Sequence, residues 1–176
     1  MARIELADPD KLSGFLRRMH DEADADDWST KHVARAFAAN ADLLESFMAF
    51  YAAWHCNEGA GTLDTRIKEL VRLRIATLSG CKTCKASREE STVTEEEASI
   101  GVDTPEYSFT PRERVALNFA EKMSIDHFSI GDEDIRNLGE YFDQGELLEL
   151  MVMTGQYIGF GRVLSILQLE DVACPI

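Results

Sequence analysis

Apolar positions along this chain recur every three or four residues, and no stretch alternates apolar and polar residues long enough to make a strand. The pattern predicts helices throughout. The first spans 9–19, with Pro9 in its first turn after Asp8. The acidic stretch DEADADDWS reads as a loop, and Ser29 or Thr30 caps a second helix that runs to about residue 39. A third covers 41–56, with Leu44, Phe47, Met48, Tyr51 and Trp54 on one stripe. A fourth covers 63–79, with an apolar row of Ile67, Leu70, Val71, Ile75 and Leu78, and Gly80 ends it. A fifth begins at Cys81 and ends near Ser91, and Thr94 with Glu97 has capping-box spacing for a short sixth. GVDTPEYSFTP reads as a loop, after which Pro111 opens a seventh helix, PRERVALNFAEKMS. An eighth covers 133–142. The last, 145–168, is apolar on most sides, with breaks expected near Gly155, Gly159 and Gly161. Such a helix must be covered by other protein, so it belongs in the core, at a subunit interface, or both. The reading is an all-α chain of about eight or nine helices in a single domain.

Composition narrows the partners. The chain has 176 residues, 45% hydrophobic and 28% charged, which fits one globular domain able to bury a core without staples. Its 32 acids against 18 bases give a net charge of −14, a surface that repels phosphate backbones and anionic lipid, so neither nucleic acid nor a membrane surface is expected as a partner. The opening MARIELADPD has no signal-peptide pattern. The most apolar stretch, LLELMVMTGQYIGF, is interrupted by Glu149 and Gln156 and is read as too short and too polar to span a bilayer. The expected location is cytoplasmic, where a close cysteine pair points to redox chemistry or metal rather than to a structural staple.

That pair is Cys81 and Cys84, in the stretch ELVRLRIATLSGCKTCKASREE. On a helix, Cys81, Cys84 and Arg88 share one face, and both sulfurs lie in or near the first turn, where free N–H groups favour an anion. Lys82, Lys85 and Arg88 push the thiol pKa the same way. A thiolate attacks peroxide or disulfide sulfur, and a second thiol one turn away resolves the product. Glu69 lies on the preceding helix at the border of its buried stripe, where a half-buried carboxylate can take and return protons if the two helices fold back at Gly80. Plainer readings stand beside these. Zinc would need two more ligands, and only Cys56, Cys174 and four scattered histidines are available. Glu69 could be an ion partner of Arg66 or Arg72, Arg88 a solvated charge, His55 a helix-end histidine, and His127 a loop residue.

The segment LDTRIKELVRLRIATLSGCKTCKAS, with the helix ELLELMVMTGQYIGFGRVLSIL, resembles the AhpD-like branch of the carboxymuconolactone decarboxylase family. The motif likeness covers about 63–90, and the helical order is compatible to about residue 170. The resemblance implies an AhpD-like helical fold, with 1–60 as an N-terminal helical extension packed on a redox core at 61–176. It implies a thiol oxidoreductase that reduces hydroperoxides or a partner disulfide, with no cofactor and no metal. Cys84 would attack, Cys81 resolve, Glu69 serve a proton relay and Arg88 hold sulfur anion. A lipoylated protein or another dithiol would supply electrons, and subunits would form a homo-oligomer, a trimer or hexamer, with a dimer also compatible. Two positions depart from the family pattern: Arg88 stands where the relay histidine is usual, and Thr83 where some members have another histidine. Arginine holds a thiolate but does not shuttle protons near neutrality. Glu69 acting through water, or His55 or His127, would have to substitute. The rival to an enzyme is an oligomeric redox sensor or scaffold that kept the pair and lost the relay.

Overall fold

A computed structural model of the chain describes residues 2–58, 60–88, 93–99 and 109–171. Among them are nine α-helices and no strands: α1 (Gly14–Glu22), α2 (Trp28–Ala36), α3 (Ala41–Trp54), α4 (Thr65–Leu78), α5 (Lys82–Ala86), α6 (Glu95–Ser99), α7 (Pro111–Ile125), α8 (Asp132–Gly139) and α9 (Gln144–Leu167). The all-α expectation holds. Caps written in the sequence set several boundaries. Thr110 and Glu113 form a capping box on α7 around Pro111, Asp143 and Glu146 another on α9, and the Thr94 and Glu97 side chains bond each other's amides before α6. The expected loop GVDTPEYSFTP lies outside the described residues up to Ser108, as does Cys174.

Four expectations need correction. The first helix is broken: a 3₁₀ turn at Pro9–Lys11 is followed by extended backbone at Leu12 and Ser13, and α1 then runs past residue 19. Leu12 and Leu16 both lie in one apolar cluster. Asp27, not Ser29 or Thr30, caps α2, accepting from the Thr30 amide at 3.0 Å and the Ser29 hydroxyl at 2.9 Å. The fifth helix stops at Ala86, five residues short. The Arg72 guanidinium takes the Cys84 carbonyl at 2.6 Å, the acceptor that a continuing helix would offer to the Arg88 amide. Arg88 therefore leaves the helical face that the spacing suggested.

The fourth correction concerns α9, which is continuous through all three glycines and, at 24 residues, long and apolar enough to cross a membrane by length and composition. Its inward side carries Glu149, Thr154 and Tyr157 along with Leu150, Met153 and Leu164, and packs on α4, α5 and α7. It is a core helix on that side. Leu148, Val152, Val163 and Ile166 lie exposed on the other.

At the centre is α4, buried almost all round from Ile67 to Ala76 and packed against α7, α9 and α6. One apolar cluster joins it to α7, α8 and α9 through residues such as Val71, Phe119, Leu138 and Met153. A second joins Leu16, Val33 and Leu44 of the first three helices to Cys81 and Leu164. Three charged residues of α4 are buried with this apolar surface, and each has a partner. Lys68 is fully buried, with Nζ 2.8 Å from Glu149 Oε1 and further bonds to the Trp54 carbonyl and Asn57. Burial alone would raise the Glu149 pKa, but Lys68 and the Thr62 and Leu63 amides outweigh it and hold the carboxyl below its ordinary value.

Candidate active site

The cysteines are placed by the turn that ends α4. Gly80 has φ +64°, the left-handed conformation that glycine adopts without cost. The Cys81 amide bonds back to the Ala76 carbonyl at 2.9 Å and the Gly80 amide to the Thr77 carbonyl at 3.2 Å, the paired bonds of a Schellman turn. The chain reverses there, and Cys81 becomes the N-cap of α5, its sulfur accepting the Cys84 amide at 3.1 Å. Cys81 and Cys84 are joined by a disulfide, with Cα atoms 5.3 Å apart. The two sulfurs are unequal. Cys81 is fully buried in the second apolar cluster, whereas Cys84 is partly exposed and lines a cavity of about 300 Å³.

Beneath the pair lies a charge cluster. Glu69 is fully buried, not half-buried as its place beside the stripe suggested. Arg72 holds it with both ends of the fork, Nε to Oε2 and Nη2 to Oε1, each 2.7 Å. The same guanidinium donates to the carbonyls of Cys84 and Ser87 at 2.6 Å. One side chain thus ties the carboxylate of α4 to the helix that carries the cysteines. Arg88 reaches this cluster from outside the helix, its Nε 3.7 Å from Glu69 Oε1 and its Nη groups on Glu95 and the Val93 carbonyl. It is not among the residues lining the cavity beside Cys84.

The residue that sequence reasoning undervalued is His55. It sits at the C-terminal end of α3 and is buried, with Nε2 3.5 Å from Glu69 Oε2 and Nδ1 2.7 Å from the Tyr157 hydroxyl. Tyr51 stacks on its ring at 4.6 Å. Tyr157, on α9, lines the cavity with Cys84, and burial raises its pKa well above the ordinary tyrosine value. No local pattern marks His55, because its partners are 14 and 102 residues away. Tyr157 could have been read only as one more large residue on an apolar helix. His127, the other candidate substitute, is exposed in a 3₁₀ turn against Phe128. Cys56, half-buried beside His55, is not in a disulfide.

The cavity draws its walls from both halves of the chain. Met19, Val33, Phe47 and Met48 come from the first three helices, Phe160 and Leu164 from α9. Two polar atoms of its lining are buried without a hydrogen-bond partner: Gln156 Oε1 and Thr83 Oγ1. Gly161 lies against the disulfide, such that a methyl group there would meet Cys84 Sγ at 3.8 Å. Among the described residues no cluster of three or more His, Cys, Asp or Glu is arranged to hold a metal ion.

No protein-family model and no curated protein matches this sequence. Solved structures do match its fold. One, from Ralstonia eutropha JMP134, is described as an alkylhydroperoxidase AhpD core and an uncharacterized peroxidase-related protein. It is 18% identical, over 93% of this chain and 88% of that one, with a TM-score of 0.69. A peroxidase-related protein from Silicibacter sp. TM1040 is 22% identical over 77% and 73% of the two chains, with a TM-score of 0.64. A protein of unknown function from Agrobacterium tumefaciens, assigned in its description to AhpD-type antioxidant defence, is 18% identical over 80% and 95%, with a TM-score of 0.59. These likenesses establish the fold.

Proposed function

We propose that this chain, which has the AhpD-like all-helical fold, belongs to the AhpD-like family and works as a thiol oxidoreductase, reducing a hydroperoxide or a partner's disulfide through Cys81 and Cys84. The observation that carries the reading is the inequality of the two sulfurs: Cys84 lines a cavity, while Cys81 is sealed behind it within bonding reach. Cys84 attacks and Cys81 resolves. The order also suits re-reduction. An incoming dithiol, such as a lipoyl group, reaches Cys84, and Cys81 leaves as a thiolate that the Cys84 amide receives. The cavity walls suit an apolar substrate body, and the unpartnered Gln156 Oε1 is an acceptor for a hydroperoxide O–H. Glu69 manages protons from beneath. Arg88, expected at the sulfurs, serves here by facing Glu69.

The test is thiol counting. The reduced protein, mixed with excess tert-butyl hydroperoxide, loses two of its four thiols, and a dithiol restores them over repeated cycles. Four free thiols after that treatment, in protein that is still folded, refute the reading. The exposed stripe of Leu148, Val152, Val163 and Ile166 supports a second reading, an oligomeric redox sensor, since a homo-oligomer would cover it. A single slow oxidation that changes the assembly and does not turn over would favour the sensor.

A further inference from the structure

The fold resemblance leaves this site without a proton path. Arg88 stands four residues after Cys84 and cannot exchange protons near neutrality. Glu69 is fully buried, does not line the cavity, and has both oxygens held by Arg72 at 2.7 Å. It reaches the sulfur only through an intermediary. His55 and Tyr157 occupy that interval: the imidazole lies 3.5 Å from Glu69 on one side and 2.7 Å from the Tyr157 hydroxyl on the other, and Tyr157 lines the cavity with Cys84.

Building on the thiol-oxidoreductase reading, we propose that Glu69, His55 and Tyr157 form a proton relay, in which the Tyr157 hydroxyl exchanges protons with Cys84 and with the leaving oxygen of the substrate. The Glu69 side places the imidazole proton on Nε2, leaving Nδ1 to accept from Tyr157 O–H. The Cys84 thiol gives its proton to the tyrosine oxygen as the phenol hands its own to His55, whose imidazolium then faces Glu69. The thiolate attacks the terminal oxygen of the hydroperoxide. An S–O bond forms, the O–O bond breaks, and the alkoxide takes the phenol proton, which His55 replaces. The Cys81 thiol then attacks the sulfenic sulfur, forming the disulfide and releasing water, so that two electrons pass from the sulfur pair to the O–O bond. Tyr157 is the catalytic member, and His55 and Glu69 act through it. Burial keeps the phenol protonated, so it relays by exchanging one proton for another rather than by ionising. The other titratable or charged groups that face this chain are Tyr51 on the ring of His55, Cys56 beside it, and Arg72 and Arg88 around Glu69.

The experiment compares two reactions of the reduced protein. Tert-butyl hydroperoxide needs a proton for its leaving alkoxide. Iodoacetamide at pH about 10, where an ordinary thiol ionises unaided, expels iodide and needs none. Tyr157→Phe is expected to slow peroxide-driven disulfide formation about a hundredfold while alkylation at that pH is unchanged. His55→Gln is expected to behave alike, and the double variant to lose no more than either single one, because the members act as a unit. Should Tyr157→Phe not fold, His55→Gln carries the test. A wild-type peroxide rate in the variant, or equal slowing of both reactions, overturns the relay. If the wild type itself keeps all its thiols after peroxide, the thiol-oxidoreductase reading falls and takes the relay with it, whereas oxidation of the wild type with no loss in Tyr157→Phe removes the relay alone.

Discussion

Arg72 is the residue whose removal should do most damage for its size. Its guanidinium donates two bonds to Glu69 and one each to the carbonyls of Cys84 and Ser87. Arg72→Met keeps the apolar stem and deletes the charge. Glu69, fully buried, keeps His55 at 3.5 Å and Arg88 at 3.7 Å but loses both of its 2.7 Å bonds to the Arg72 fork. Removing one partner of a buried ion pair costs about 3–5 kcal/mol, chiefly because the other charge stays behind unpaired. For a domain of this size that corresponds to a fall in melting temperature of roughly 6–20 °C. Urea unfolding of the oxidised protein measures the loss directly. Arg72→Lys keeps the charge without the fork and should recover only part of it. Arg72→Met combined with Glu69→Leu removes both ions, and should be less destabilised than Arg72→Met alone. If Arg72→Met unfolds within about 1 kcal/mol of the wild type, or the double variant loses the sum of the two single losses, the pair is not the tie between α4 and α5 described above.

The turn at Gly80 tests the placement of the cysteines. No atom lies within 4 Å of a Cβ built there, so Gly80→Ala should cost only the strain of its positive φ, about 1–2 kcal/mol by urea unfolding, with Gly80→Asn losing less; a more stable alanine variant would contradict the turn. The pH test uses Glu97, whose carboxyl is held below its ordinary 4.5 first by the Arg66 hydrogen bond and then, against burial, by the Thr94 amide. A depressed carboxylate gives stability that is complete above its unfolded pKa and lost as pH falls through the lower folded value. Glu97→Gln should therefore be less stable than the wild type at neutral pH and lose less on acidification from about pH 5 to 2, and parallel acid profiles would refute the assignment.

The features legible in the sequence were those encoded within a few residues. The capping boxes at Thr94, Thr110 and Asp143 carry both of their members within four positions, and α4 through Gly80 announces its own end. The CxxC spacing likewise fixes which sulfurs can join. Arg88 misled because helical spacing holds only while the helix continues, and Arg72, twelve residues before Cys84, stops it. The periodicity puts Glu69 at the edge of the apolar row because it treats α4 as one-sided. Glu69 is buried because α3, α5 and α9 close over the side that the periodicity left polar.

That closure explains why a central helix carries so many ions. Replacing a buried ion pair by apolar residues is often neutral or stabilising, so stability alone does not account for Lys68, Glu69 and Arg72 on the most buried element. Position does. Lys68 takes Glu149 of α9, Glu69 faces His55 at the end of α3, and Arg72 takes two carbonyls in and after α5. Arg66 takes Glu97 of α6 and Glu113 of α7, and Arg74 takes Glu121 of α7. Apolar contacts tolerate a slipped or rotated neighbour at small cost, whereas a buried charge whose partner moves by a few ångströms is left unpaired. Each ion on α4 therefore fixes at least one neighbouring element in register. Three of those elements, the end of α3, α5 and α9, deliver His55, the cysteines and Tyr157. The same charges that hold the helices in place thus also place His55, the cysteines and Tyr157 around one cavity wall, and a variant that unpairs one of them should disturb the site before it unfolds the chain.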